Sequence, residues 1–198
     1  MTTPPESPKS LTRHTNALLW WLIVVAALST ATSALGVPAL HFIFKPLTLV
    51  IAIVVVAARA YSTGSRGRFD LYLMAALAAS LAGDIFLMLP GSYFIPGLAS
   101  FLVAHLFYIA LLRQGVPWFP GRGALGCTLA VGAAMYAWVW AGLSDPVLKI
   151  AVAAYVSVIA LMVAQAIGRA LTLRDAAATA VAWGACLFML SDSLIDIN

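Results

Sequence analysis

From Ala17 to the end, the chain is a succession of apolar runs, each about twenty residues long and separated by short polar connections. That spacing is the strongest constraint on what the chain can fold into. About 20 apolar residues is the length a helix needs to cross the hydrocarbon core of a bilayer. In that medium every backbone N–H and C=O must be satisfied internally, so only helices and closed barrels cross. A transmembrane barrel would show short segments of alternating polarity instead. The composition agrees, since 63% of the 198 residues are hydrophobic and only 9% are charged, against about 25% charged in a soluble domain. The reading is an all-α, polytopic transmembrane helix bundle with no room for a large soluble domain.

Residues 1–16 form a polar, proline-bearing N-terminal tail, and 17–198 form a single transmembrane helical domain. Seven spans are expected, at about 17–36, 40–60, 71–89, 93–112, 124–143, 147–167 and from 176 onward. Ser29–Ala34 has the small residues a signal peptidase would use. The run around it is nevertheless long enough to cross, and is read as a retained span. Pro90-Gly91 ends the third span in a sharp turn. Tyr136, Trp138 and Trp140 mark an interface at the end of the fifth. The seventh run is still apolar near Asn198, with no cap or basic flank, so an eighth span is expected beyond it.

Lysine and arginine placement sets the orientation of such a bundle. Lys9, Arg13, Arg59, Arg66, Arg68, Arg113, Arg122, Arg169 and Arg174 all fall on one side if the N-terminus is cytoplasmic, leaving only Lys45 and Lys149 opposite. An integral protein of the bacterial inner (plasma) membrane is expected. The charge does not point to nucleic acid, because no basic run interleaved with aromatics exists. Cys127 and Cys186 lie in separate spans and are expected to be free, buried thiols.

Within this apolar background a few ionisable residues stand out. Asp84 lies in Leu81-Ala82-Gly83-Asp84-Ile85-Phe86-Leu87-Met88, and Asp192 and Asp196 lie in Met189-Leu190-Ser191-Asp192-Ser193-Leu194-Ile195-Asp196. A carboxylate in hydrocarbon is costly and is a functional-site hypothesis by default. With alternate spans running outward, Asp84, Asp192, Asp196, Lys45 and Tyr155 fall in the outer half of the membrane and His105 near its middle. Asp192 and Asp196 are four apart and share a helix face. Ala79 and Gly83 form a small-xxx-small pair that allows close helix approach. Carboxylates crowded in low dielectric cannot all ionise, so one serves as an acid while another is held charged by a cation such as Lys45. The Asp84 and Asp192 segments are therefore expected to face each other across one site. The competing reading is an Asp84–Lys45 pair that only fixes helix packing.

His105 is either a proton shuttle or phosphate ligand, or a packing histidine with a single partner. Tyr155 and Gln165 are wall residues or helix–helix hydrogen-bond formers. A zinc site from His41, His105 and a carboxylate lacks any recognised ligand spacing. There is no GxSxG elbow, P-loop or GxGxxG, so serine-hydrolase and nucleotide chemistry are unsupported.

Lys45-Pro46, Gly83-Asp84-Ile85-Phe86-Leu87-Met88, Ala104-His105-Leu106-Phe107-Tyr108 and Phe188-Met189-Leu190-Ser191-Asp192-Ser193 together resemble the YhhN-like family of membrane proteins, which includes the lysoplasmalogenases. The resemblance extends from the second span to the seventh. It implies an eight-helix membrane protein that hydrolyses the vinyl ether of lysoplasmalogen to a fatty aldehyde and a glycerophospho-ethanolamine or -choline. It also implies catalytic roles for Asp84 and Asp192, which match the family's motif aspartates. Lys45, His105, Tyr155 and Asp196 are then supporting or substrate-binding residues, a lysophospholipid and the surrounding lipid are the partners, and no cofactor is called for. Two other functions compete, a proton-coupled carrier of lipids or small molecules and a non-catalytic scaffold.

Overall fold

The computed structural model describes residues 24–25, 38–64 and 67–195. Among them are six α-helices and no strand: α1 (Pro38–Thr63), α2 (Arg68–Met88), α3 (Phe94–Leu112), α4 (Arg122–Val139), α5 (Pro146–Leu173) and α6 (Ala176–Ile195). A single 3₁₀ turn, Trp140–Gly142, extends α4. Five segments are long and apolar enough to cross a membrane, at Phe44–Ser62, Arg68–Met88, Phe94–Leu112, Arg122–Gly142 and Pro146–Leu173. The apolar part of the sixth helix, Ala176–Asp192, is shorter. This is the architecture of an integral membrane protein. Six of the seven expected spans are helices, while the span expected at 17–36 lies, apart from Val24 and Val25, outside the described residues.

The helix ends follow from local chemistry. Pro146 opens α5, where a missing N–H costs nothing, and the Asp145 carboxylate accepts from the Val147 amide at 2.8 Å. Asp175 caps α6 in the same way, accepting from Ala178 N at 2.6 Å. Within the helices, Thr48, Ser100, Ser157 and Thr172 each donate to the carbonyl four residues back. Their hydroxyls are thereby satisfied without water, as an apolar surround requires.

Helix α5 is the centre of the bundle and packs against α3, α4 and α6, while α2 packs against α1 and α3. The core joins Ile109, Leu111 and Leu112 of α3 to Tyr155, Ile159, Ala160, Met162, Val163 and Ala166 of α5 and to Ala182 and Met189 of α6. The outward faces of α4 and α6 are apolar, with Leu129, Val131, Trp183 and Leu187 exposed. That suits a bundle solvated by lipid. Trp138, 74% exposed, and Trp140 project where the sequence places an aromatic belt. Both cysteines are free, but Cys186 is only partly buried, and Cys127 is exposed because α4 packs on α5 through the face of Thr128 and Gly132.

At the end of the bundle away from Asp84, α5 grips the connection between α3 and α4. Gln165, with no exposed surface, accepts from Phe119 N at 2.8 Å and donates to Pro117 O at 3.1 Å. One turn along, Arg169 donates to the carbonyls of Leu112 and Gln114. Gly168 faces the Pro120 ring so closely that an added Cβ would lie 2.8 Å from it. Gln165, a wall or packing residue in the sequence, is thus a clamp on loop backbone. Leucine at 165 would fill similar volume but strand an amide and a carbonyl, each costing about 1–3 kcal/mol when buried. Gln165→Leu is expected to destabilise the protein by about 2–3 kcal/mol in unfolding titrations in mixed micelles. Gln165→Glu should be milder, because one carboxylate oxygen still accepts from Phe119.

Candidate functional site

The site is built on one face of α3. Gly97, Phe101, His105 and Ile109 recur every four residues, which stacks them along one side of the helix. Helix α2 offers a matching ladder, Ala76, Ser80 and Asp84, all buried, with Gly83 beside Asp84. The two helices meet at their glycines. A Cβ on Gly83 would lie 2.7, 2.7 and 2.9 Å from three carbons of the Phe101 ring. One on Gly97 would lie 2.7 Å from the Leu87 side chain and 3.4 Å from the Gly83 carbonyl. Real Cβ atoms essentially never approach that closely, so a side chain at either position would force Phe101 or Leu87 to shift. Below it, Ser80 and the Tyr108 hydroxyl share a hydrogen bond.

The close crossing brings Asp84 within reach of α1. Asp84 is 2% exposed, and its Oδ1 lies 3.0 Å from Lys45 Nζ. Lys45 is 41% exposed, so the ammonium stands between the buried carboxylate and the surroundings of the bundle. Its Nζ also lies 5.9 Å from the centroid of the Phe101 ring, within cation–π range.

The backbone carbonyl of Phe101 leads one turn along α3 to His105. His105 is buried, and its Nδ1 lies 2.5 Å from the Phe101 carbonyl. A carbonyl only accepts, so Nδ1 carries a proton, and in the neutral ring the lone pair is on Nε2. The imidazole sits among three aromatic rings, with centroids 5.3 Å from Phe188 of α6, 5.6 Å from Tyr155 of α5 and 6.3 Å from Tyr108. Lys45, Asp84, Phe101, His105, Tyr155 and Phe188 thus form one run of contacts across α1, α2, α3, α5 and α6.

Asp192 lies on α6 one helical turn beyond Phe188 and is half-buried. Helices α2 and α6 are not a closely packed pair, since α3 and α5 lie between them. Asp84 and Asp192 are carried by α2 and α6, and the Phe101–His105 face belongs to α3, which packs against both α2 and α5. Asp196 lies outside the described residues, as does the side chain of His41. Among the described residues, no three His, Cys, Asp or Glu side chains converge as a metal site would require.

Phe101 and Gly97 were not singled out by sequence. Gly97-xxx-Phe101-xxx-His105 was readable as a helix face, but nothing in the sequence marks which apolar ring would meet a cation.

Taken together, this is a polytopic helical membrane protein with a buried carboxylate–ammonium pair and a caged histidine inside the bundle. The sequence profile of the YhhN family matches residues 40–198, and the chain belongs to that family. Curated proteins named lysoplasmalogenase from Mycobacterium bovis and Mycobacterium tuberculosis are each 36% identical to it over 138 residues, or 67% of this chain and 51% of the relative. The chain thus spans about half the length of these curated relatives. No solved structure matches it.

Removing one partner of a buried ion pair leaves an uncompensated charge, at a cost of about 3–5 kcal/mol when both groups are fully buried. Lys45 is partly exposed, which reduces that cost. Lys45→Met is therefore expected to destabilise the protein by about 2–3 kcal/mol, measured by unfolding in mixed micelles. Asp84→Asn in the Lys45→Met background should restore part of the loss.

Proposed function

We propose that the protein is a membrane-embedded hydrolase that cleaves the vinyl ether bond of a lysoplasmalogen, releasing a fatty aldehyde and a glycerophospho-ethanolamine or -choline. The observation that carries this reading is Asp84, buried inside an apolar bundle and paired with a half-exposed lysine, in a chain whose curated relatives are named lysoplasmalogenase. Evolution of a buried charge is expensive and is tolerated chiefly where the charge has a use.

The chemistry needs two carboxyl groups in different states. A protonated acid delivers its proton to the outer carbon of the alkene, turning the vinyl ether into an oxocarbenium ion. A carboxylate stabilises that cation and orients water. Water adds at the carbon bearing the ether oxygen and loses its proton to a base. The resulting hemiacetal then collapses to aldehyde and alcohol as the ether oxygen takes up a proton. The same division between acid and anion operates in glycoside hydrolysis. In our assignment Asp84, paired with the Lys45 ammonium, is the anion that faces the developing cation, and Asp192 is the acid. His105, with Nε2 unprotonated in this assignment, would accept the proton of the attacking water. Tyr155 holds the imidazole edge-on, and Asp196 lines the mouth.

A single-chain lipid suits this geometry. Its tail would remain in the bilayer beside the apolar outer faces of the helices. Its vinyl ether, just below the headgroup, would reach the depth of Lys45 and Asp84, and the exposed side of the ammonium would meet the lipid phosphate. With the N-terminus cytoplasmic in the plasma membrane, that end of the bundle faces away from the cytoplasm.

The Lys45–Asp84 pair also favours a second reading, a scaffold in which the charges only hold α1 against α2. One assay separates the two. Purified protein in lipid nanodiscs is given lysoplasmalogen, and aldehyde release is followed. Asp192→Asn is expected to lower turnover by about 100- to 10,000-fold, the usual contribution of general acid–base catalysis, with Asp84→Asn comparable. Unchanged aldehyde release in both folded variants would sink the catalytic assignment in favour of the scaffold.

A further inference from the structure

The Lys45–Asp84 pair has a weakness that its surroundings must answer. Lysine is long and flexible, carrying about four rotatable bonds, and Lys45 is 41% exposed. Nothing about a 3.0 Å contact alone keeps such an ammonium over a buried carboxylate through a reaction that changes the charges beside it. What does lie against it is Phe101. The ring is 5.9 Å from Nζ, and it rests on Gly83, the residue immediately before Asp84, in space that any Cβ would occupy. The carbonyl of the same residue fixes Nδ1 of His105.

We propose that Phe101 is a positioning residue of the site, acting through Lys45 and His105 rather than on substrate. Its ring, seated on Gly83, supplies a π face that confines the Lys45 ammonium to Asp84. Its carbonyl sets the tautomer of His105. Gly83 is required because it leaves room for the ring, and Gly97, one turn before Phe101, brings α3 close enough to place it. This inference rests on the proposed roles of Asp84 and Lys45 and adds the residue that holds them in register.

Two kinds of substitution test it. Replacing Phe101 with mono-, di- and trifluorinated phenylalanine keeps the shape of the ring while progressively weakening its negative face. Phe101→Leu removes the face altogether, and Gly83→Ala displaces the ring without changing it. Fluorination is expected to lower kcat in graded steps, reaching about 3- to 30-fold at trifluoro, the range of a cation–π contact, with KM little changed. Phe101→Leu and Gly83→Ala should each lose at least as much and should be non-additive when combined, because both break one contact. A purely structural Phe101 would give normal kcat in every fluorinated variant, with thermal stability the only property lost on going to leucine. That outcome would overturn the proposal.

A second readout does not depend on the substrate being correct. The infrared carboxyl band of Asp84 is assigned by its disappearance in Asp84→Asn, in protein without ligand. Fluorination is expected to shift that band in graded steps as the ammonium leaves the carboxylate. If the protein released no aldehyde from any vinyl ether lipid, the substrate assignment would fail. The infrared series would still decide on Phe101, with a graded change supporting the positioning role and an unchanged band overturning it.

Discussion

The cost of placing the Asp84 carboxylate out of water is the constraint around which this end of the bundle is arranged. An unpaired carboxylate there would cost several kcal/mol even after relaxation. Lys45 offsets that cost across the α1–α2 contact at 3.0 Å. The pair requires α1 and α2 to be close at this depth, and α3 also packs closely on α2 there. Gly83 and Gly97 make the second approach possible. The same crossing puts the Phe101 ring near the ammonium and the Phe101 carbonyl on His105. Two glycines, one aromatic ring and one histidine are thus grouped around the ion pair.

The two ends of the molecule solve different problems. Away from Asp84, Gln165 and Arg169 tie the α3–α4 connection to α5 through backbone groups, and no carboxylate is involved. Near Asp84 the polar groups are ionisable and ringed by aromatic surface. Hydrogen bonds to loop backbone are what stability alone calls for, whereas a buried charge pair is often no better than an apolar replacement. The contrast within one protein is a reason to read the Asp84 end as a place of chemistry.

Much of this was legible in the sequence. Apolar run lengths located five of the six described helices to within about three residues, because in a membrane the run length and the helix length are set by the same thickness, whereas α5 runs on to Leu173, six residues past the expected 167. Asp84 and Lys45 were legible as partners because intramembrane charges seek each other. Ala79-xxx-Gly83 signalled close helix approach, but the residue that fills the approach, Phe101, was not marked. Apolar residues on a lipid-solvated helix look alike in sequence whether they face lipid or a cation, so neither the role of Phe101 nor the exposure of Cys127 could be read. The aromatic ring of contacts around His105 likewise depends on which helices become neighbours, and that is decided by α5 packing against α3, α4 and α6 at once.

What joins these observations into an active site is the claim that Asp84 and Asp192 act on one molecule. They lie on helices that do not pack closely together, so their separation is the decisive quantity. The most direct test is an experimental structure of the protein with a non-hydrolysable alkyl ether lysolipid bound, read for the distance between the two carboxylates. Paired carboxylates that share a substrate, as in glycosidases, stand about 5–10 Å apart. The account predicts a separation within that range with the ether oxygen between them. Carboxylates well beyond about 10 Å, with the ether touching neither, would contradict it.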